Sequence, residues 1–399
     1  MTISVRPNPY RIPEYSLTGD LLAYLTCSLQ YRLNSKGALP PSTPVQLWFG
    51  EFIHGVMEEG YLRWRDDNWR SFPWPDINVH SVTVDIAQRL AARGLYPYSN
   101  VFCWETVPGG PKRGCPDDQH PHYDQIANRR AIAAVNTWGP HLFPLIDSNE
   151  VRLDGLRVMP NLAQGVGRAP YYAVTGIADV ISSVRMNEVS QTNRIVHYLR
   201  QNPAVRGMVA DFNDYEIIID YKGMRRPGTG EPSWNHHEWQ LLTYMWLRQQ
   251  QLRSQEGNPR AIAAAVIFYL NELEPSEGDN KNLKANVQAQ ETDVIPVNQD
   301  FSNLMNVKNL GTLRLSDAYR EARSIKVIPY DINKINSALA SFDNVVRNIE
   351  TRVLTEMGGS TGLRQCWREG NPQERNCTAC DAKTICPNAA PRPYSPTVP

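Results

Sequence analysis

The chain carries no excess charge of either sign: 41 basic residues stand against 41 acidic ones in 399. That balance excludes the strongly basic surface by which a whole domain announces a polyanion partner, so any nucleic-acid contact has to be local. Arg129-Arg130, Lys222 to Arg226, and the scattered Arg364, Arg368 and Arg375 are the candidate stretches, each also readable as an ordinary solvated face. No run approaches the roughly 20 apolar residues of a membrane span. Met1 to Pro13 lacks the charged-then-apolar order of a secretory signal. No G-x4-G-K-S/T loop is present, so any strand unwinding has to come from another protein. Internal repeats are absent. Cysteine is scarce and odd in number, seven in all, which disfavours a framework of paired disulfides and makes a reducing cytoplasm the expected compartment. What remains is a chain with 41% hydrophobic residues, enough to bury a large core in one elaborated domain or two.

The cysteines that are present form a pattern. Cys377, Cys380 and Cys386 are spaced C-x2-C-x5-C, and Cys27, far upstream in Leu25-Thr26-Cys27-Ser28-Leu29, offers a fourth thiolate. Soft sulfur ligands select zinc or an iron–sulfur cluster, and such a site would tie the two ends of the chain together. Cys366 is a further cysteine near the tail that can take the place of Cys27. Cys115 to His122 is rich in ligand types but equally in turn formers, and reads as a surface loop.

Apolar residues recur at helical spacing over Thr18 to Arg32 and Val45 to Arg65, with His54 riding on the second stretch. The Pro-rich Ser71 to Pro75 ends it, and helical patches follow at Val84 to Arg93 and Ile126 to Trp138. Val151 to Val158, Tyr171 to Val184, Glu216 to Lys222 and Ala263 to Leu270 read as strands, and Trp234 to Gln255 and Asn333 to Glu356 as helices. The unbroken Ile217-Ile218-Ile219 is expected of a strand buried between two helical layers. Glu274 to Gln290 reads as a polar loop, and Asn187 to Asp214 as an inserted one that guides substrate. The expected class is α/β, and the expected segments are 1–72 (helical, with Cys27 and His54), 73–148 (a mainly helical insertion), 149–330 (the core) and 331–399 (a helix and the cysteine tail).

Chemistry concentrates at the end of the buried strand. In Asp220-Tyr221-Lys222 the period of two points the carboxylate and the amine to one side. Asp179, in Thr175-Gly176-Ile177-Ala178-Asp179, sits on a neighbouring strand, so two aspartates can converge on one divalent ion. Gln240 and Tyr244, four apart, share a helix face from which they can orient nucleic acid.

In order, a cysteine, His54, Gly176-Ile177-Ala178-Asp179, Asp220-Tyr221-Lys222, Gln240-x3-Tyr244 and C-x2-C-x5-C resemble the iron–sulfur branch of the PD-(D/E)XK nucleases over most of the chain. That branch includes the nuclease domains of RecB-like and AddB-like helicase–nucleases and the small CRISPR-associated exonucleases, of which the AddB type and the CRISPR type carry the cysteine clamp. The resemblance implies a restriction-endonuclease-like fold: a central mixed sheet flanked by helices, with a helical insertion and a four-cysteine clamp joining the N- and C-terminal parts. It implies that His54, Asp179, Asp220 and the Tyr221 carbonyl hold Mg²⁺ or Mn²⁺, that Asp179, Asp220 and Lys222 are catalytic, and that Lys222 positions the attacking water. Gln240 and Tyr244 would hold DNA and the lysine, and Cys27, Cys377, Cys380 and Cys386 a [4Fe–4S] cluster, with zinc as the alternative. The implied activity is a metal-dependent deoxyribonuclease, an exonuclease on single strands or DNA ends, serving DNA repair and recombination or CRISPR-type antiviral defence, with a helicase or integrase-like partner. The rival expectation is a nucleic-acid-binding subunit with a vestigial site, its cysteines holding zinc or a cluster. Three features depart from the pattern: Asp220 follows Asp179 by 41 positions, the second acid is Asp where Glu is commoner, and residues 73–148 exceed the compact CRISPR-associated form.

Overall fold

The computed structural model describes residues 12–35, 45–66, 69–97, 101–102, 125–162, 167–210, 213–254, 260–359, 361–367, 377, 380 and 386. In chain order the elements begin with β1 (Glu14–Ser16), α1 (Ala23–Thr26), α2 (Ser28–Ser35), α3 (Val45–Asp66), α4 (Asp76–Ala92) and α5 (Ile126–Leu142). The paired strands β2 (Ile146–Val158) and β3 (Tyr171–Arg185) follow, then α6 (Arg194–Gln201), α7 (Pro203–Val209), β4 (Asp214–Lys222), α8 (Pro232–Arg253) and β5 (Ala261–Tyr269). The last are α9 (Glu277–Gln288), α10 (Asn298–Asn306), α11 (Asp317–Ser324), β6 (Ile325–Pro329), α12 (Ile332–Met357) and α13 (Leu363–Cys366). None of the described helices is long and apolar enough to cross a membrane.

Two compact units divide these elements. The larger comprises Thr43–Leu153 and Ile177–Ile335; the smaller comprises Met1–Ser42, Asp154–Gly176 and Asn336–Pro399.

In the larger unit β4 is the central strand. Ile217, Ile218 and Ile219 are all 0% exposed, and because successive side chains point to opposite faces, both faces of β4 must be covered. β3 runs antiparallel to it with Val180 opposite Ile219, β5 runs parallel with Asp220 opposite Ile267, and β6 runs antiparallel to β5 with Ile328 opposite Ala265. The sheet is therefore mixed. Ile217, Ile219 and Tyr221 join the core of α3, α4 and α5, while Asp220 and Lys222, on the opposite face, meet α8 through Gln240. This is the expected α/β arrangement of a mixed sheet flanked by helices.

Two glycines set how closely the helical layer approaches. A Cβ on Gly55 of α3 would stand 2.9 Å from Ile86, so α4 packs directly on that backbone. A Cβ on Gly223, just past β4, would lie 3.0 Å from Ile53 and 3.2 Å from the Cα of Gly50. The end of β4 is thereby held against α3 where His54 sits.

Two expectations need correction here. Glu274 to Gln290 is not a loop: α9 starts at a reciprocal capping box between Ser276 and Asp279, and its Leu283 joins a satellite core with Leu304, Leu313, Leu315 and Tyr319. Its polar sequence hid a helix that is stabilised mainly by packing. The insertion Asn187 to Asp214 is likewise largely helical. Asn193 caps α6 by accepting from the Val196 amide, Asn202 caps α7, and Ile195, Val196 and Leu199 are buried. Cys115 to His122 lies outside the described residues.

In the smaller unit β1 runs parallel to the start of β3, with Tyr15 opposite Val174. Tyr172 stacks on Phe342 of α12 at 6.0 Å, and the fully buried Glu350 accepts from Arg168 Nε at 2.9 Å and from the Tyr15 hydroxyl. Paired and hydrogen-bonded in this way, the carboxylate tolerates its burial. Cys27 breaks the helix between α1 and α2 in an extended conformation (φ −162°) and is buried. Tyr24 and Tyr31, on either side of it, pack on the buried Trp367 with ring centroids 6.4 and 6.2 Å apart. Segments remote in sequence thus meet beside Cys27 and next to Cys366, which is also buried.

Candidate active site

At the end of β4, the larger unit gathers His54, Asp179, Asp220, Tyr221, Lys222, Gln240 and Tyr244 into one connected network. His54 comes from α3, Asp179 from β3, the central three from β4 and the last two from α8. His54 Nε2 lies 2.7 Å from the Tyr221 carbonyl oxygen, and its Nδ1 lies 3.4 Å from Asp179 Oδ2. The same Asp179 oxygen accepts from the Tyr221 amide at 2.6 Å. On the adjacent residues of the strand, Lys222 Nζ stands 2.6 Å from Asp220 Oδ2 and donates to Gln240 Oε1 at 2.9 Å. The Gln240 amide nitrogen then donates to Asp220 Oδ1 at 3.2 Å and to the Tyr244 hydroxyl at 3.1 Å. Gln240 and Tyr244 do share a helix face, but they are buried and bridge the catalytic candidates rather than lying open to a ligand.

The electrostatics separate the two aspartates. Burial works against ionising Asp179, yet the charge and hydrogen bond of His54 outweigh it and hold the carboxyl below its ordinary range. Asp220, 2% exposed, goes the other way: burial dominates, the attraction of Lys222 offsets it in part, and the nearby Asp179 adds to the rise. For His54 burial disfavours the charge, but Asp179 prevails, with Asp220 behind it, and the imidazole is held up at about 9. Carboxyl groups pushed apart in this way are the usual mark of divided roles.

Sequence reasoning missed Glu150. It stands on β2 with φ 50°, in the left-handed region that an ordinary side chain rarely adopts. Burial first, then the charges of Asp179 and Glu58, push its carboxyl up. The donor atoms of His54, Glu150 and Asp179 all lie within 4.8 Å of one another, and among the described residues this is the group of ligand-type side chains close enough to share an ion. The polar run Asp147-Ser148-Asn149-Glu150 was the available signal, but no spacing rule ties it to His54 or Asp179.

A hard divalent cation fits these residues. Oxygen donors with one imidazole suit Mg²⁺ or Mn²⁺. Asp220 Oδ2, though buried, takes no hydrogen bond of sound geometry, its closest contact being the Lys222 ammonium. His54, Glu150 and Asp179 are the residues placed to hold the ion. Cys27, Cys366, Cys377, Cys380 and Cys386 belong to the smaller unit. There Cys27 is buried, Cys377 is exposed, and the Cys380 amide donates to the Cys377 carbonyl at 3.2 Å.

Residues 208–387 match the family model of the PD-(D/E)XK nuclease superfamily. The matched stretch carries Asp220, Lys222, Gln240 and Tyr244, while His54, Glu150 and Asp179 lie outside it and reach the site only through the fold. No curated protein matches the chain. PD-(D/E)XK nucleases use divalent metals such as Mg²⁺ or Mn²⁺, and the match suggests a metal-dependent nuclease with a nucleic-acid substrate.

Proposed function

We propose that the protein is a metal-dependent deoxyribonuclease that hydrolyses phosphodiester bonds as an exonuclease on single strands or DNA ends. The observation that carries this reading is the set of contacts at the end of β4 that joins His54, Tyr221 and Asp179 to the adjacent Asp220, Lys222 and Gln240, with Asp179 next to Asp220 in the β3–β4 register. A bound divalent ion would lower the pKa of a water and stabilise the departing oxygen. The protein's own groups then have separate tasks. Lys222, fixed between Asp220 and Gln240, keeps donor capacity for a phosphate oxygen or the attacking water. Gln240 holds both the lysine and the carboxylate in register. Asp179 orients His54 and accepts from the backbone of Tyr221, so that the Tyr221 carbonyl stays turned toward the imidazole.

The thiolates of Cys27, Cys377, Cys380 and Cys386 are assigned to a [4Fe–4S] cluster, a reading supported by their spacing and by the meeting of remote segments beside Cys27. Zinc is the alternative occupant. Anaerobically purified protein should be brown and absorb near roughly 400 nm, and a colourless sample containing zinc would remove the cluster while leaving the nuclease intact. The test of substrate is an assay with Mn²⁺ on 5′- and 3′-labelled single-stranded, duplex and circular DNA. Mononucleotide release from linear strands with circles left intact is the expected pattern; nicking of circles would replace the exonuclease with an endonuclease.

A further inference from the structure

We infer that the C-terminal part of α3, with Trp69 and Arg70, forms a stacking platform that receives a single nucleic-acid strand at the candidate active site; the inference rests on the nuclease reading above. His54, Glu58, Tyr61 and Arg65 recur at intervals of three and four and so lie along one face of α3. Tyr61 lines the same cleft as His54, Glu150 and Asp179, so that face leads out of the site without a break. Beyond it, aromatic rings and guanidinium groups interleave. Trp64 lies nearly parallel to Tyr61, with ring centroids 6.3 Å apart and an interplanar angle of 24°. The Arg65 guanidinium stands over Tyr61 at 5.5 Å, that of Arg70 over Trp64 at 5.3 Å, and that of Arg63 over Trp69 at 5.5 Å.

The charges on this surface are not equivalent. Arg63 is engaged by Glu59 and Asp85, and Arg65 by its exposed neighbour Asp66. Arg70 is exposed and donates to the Arg65 carbonyl at 3.4 Å, with no carboxylate beside it in the described residues. Of these three, Arg70 is therefore the cation open to a phosphate. Guanidinium planes and aromatic rings accept any base by stacking, which gives a sequence-tolerant grip on a strand whose bases are unpaired. Bases in a duplex are already stacked on one another and cannot use it. The occupant this surface fits is a single strand, with bases stacked on the guanidinium groups that lie over Tyr61 and Trp64 and with a phosphate beside Arg70.

The experiment measures fluorescence anisotropy of a labelled oligothymidylate and of a duplex of equal length, in EDTA, as a function of salt, with cleavage in Mn²⁺ run separately on the wild type. Substituting Trp64→Ala should weaken single-strand binding about tenfold and leave duplex binding unchanged. The double substitution Arg65→Gln with Arg70→Gln, at exposed side chains that hold no core together, should weaken single-strand binding and lower its salt slope by about 0.7, for the one phosphate that Arg70 no longer neutralises. If Trp64→Ala melts early, the glutamine pair decides. Single-strand affinity and salt slope unchanged in that pair would overturn the platform, whatever the wild type cleaves. Loss of single-strand binding in a protein that cleaves no DNA would uphold the platform and remove the nuclease.

Discussion

Gln240 joins three groups that chemistry at this site requires in fixed positions, so Gln240→Leu is a sharp perturbation. The substitution keeps an apolar body of similar length and deletes the acceptor for Lys222 Nζ at 2.9 Å and the donor to Asp220 Oδ1 at 3.2 Å and to the Tyr244 hydroxyl at 3.1 Å. A hydrogen bond to a charged group contributes about 1.5–3 kcal/mol. If the bond to the Lys222 ammonium is what keeps that donor in place, the loss corresponds to a fall in kcat of roughly 10- to 100-fold, at about 1.36 kcal/mol per decade. Binding of DNA should change little, because Gln240 is 7% exposed and faces Lys222, Asp220 and Tyr244. The buried Tyr244 hydroxyl and Asp220 Oδ1 lose a donor as well, and stability should fall by about 1–3 kcal/mol. Rate constants for cleavage of a labelled oligonucleotide in Mn²⁺, measured below the melting point of the variant, provide the test. A kcat within about twofold of wild type would refute the positioning role, and a change confined to KM would move Gln240 to substrate binding.

Other perturbations follow from the same geometry. In chelator, the His54–Asp179 pair should stabilise the fold fully below the ordinary imidazole value of 6.5, and the contribution should vanish as pH rises through about 9. The melting temperature should accordingly decline across that window, by a modest amount because the His54 side chain is 31% exposed, and His54→Ala should flatten the decline. At the acid end Asp179, whose pKa is depressed, adds stability above its unfolded value that is lost as pH falls. Ile218→Ala, at a fully buried position of the central strand, should cost about 2–5 kcal/mol in urea unfolding without altering the metal dependence of cleavage. Glu150→Gln should weaken Mn²⁺ binding measured by calorimetry; unchanged affinity would place Glu150 outside the ligand set.

The strands and helices that carry the motifs were legible because their burial is written locally. Three consecutive isoleucines signal a strand covered on both faces, and the apolar spacing of Val45 to Arg65 located α3 to within a residue. Asp220 and Lys222 were placed on one side of the strand by its period, and both indeed face α8. Elements stabilised from outside were not legible. α9 has few apolar residues and relies on its capping box and on Leu283, and β1, three residues long, exists through pairing with β3. Glu150 belongs with these: its approach to His54 and Asp179 comes from β2 and from an unusual backbone angle, neither of which leaves a spacing to read.

The central claim is that four side chains remote in sequence make one hydrolytic centre around a divalent ion. Its most direct test is cleavage of labelled DNA in Mn²⁺ or Mg²⁺ by the wild type and by Asp179→Ala, Asp220→Ala and Lys222→Ala. The account predicts metal-dependent cleavage by the wild type and a loss of several orders of magnitude in each variant, since one such centre supplies several kcal/mol of transition-state stabilisation. Undiminished cleavage in all three would contradict it.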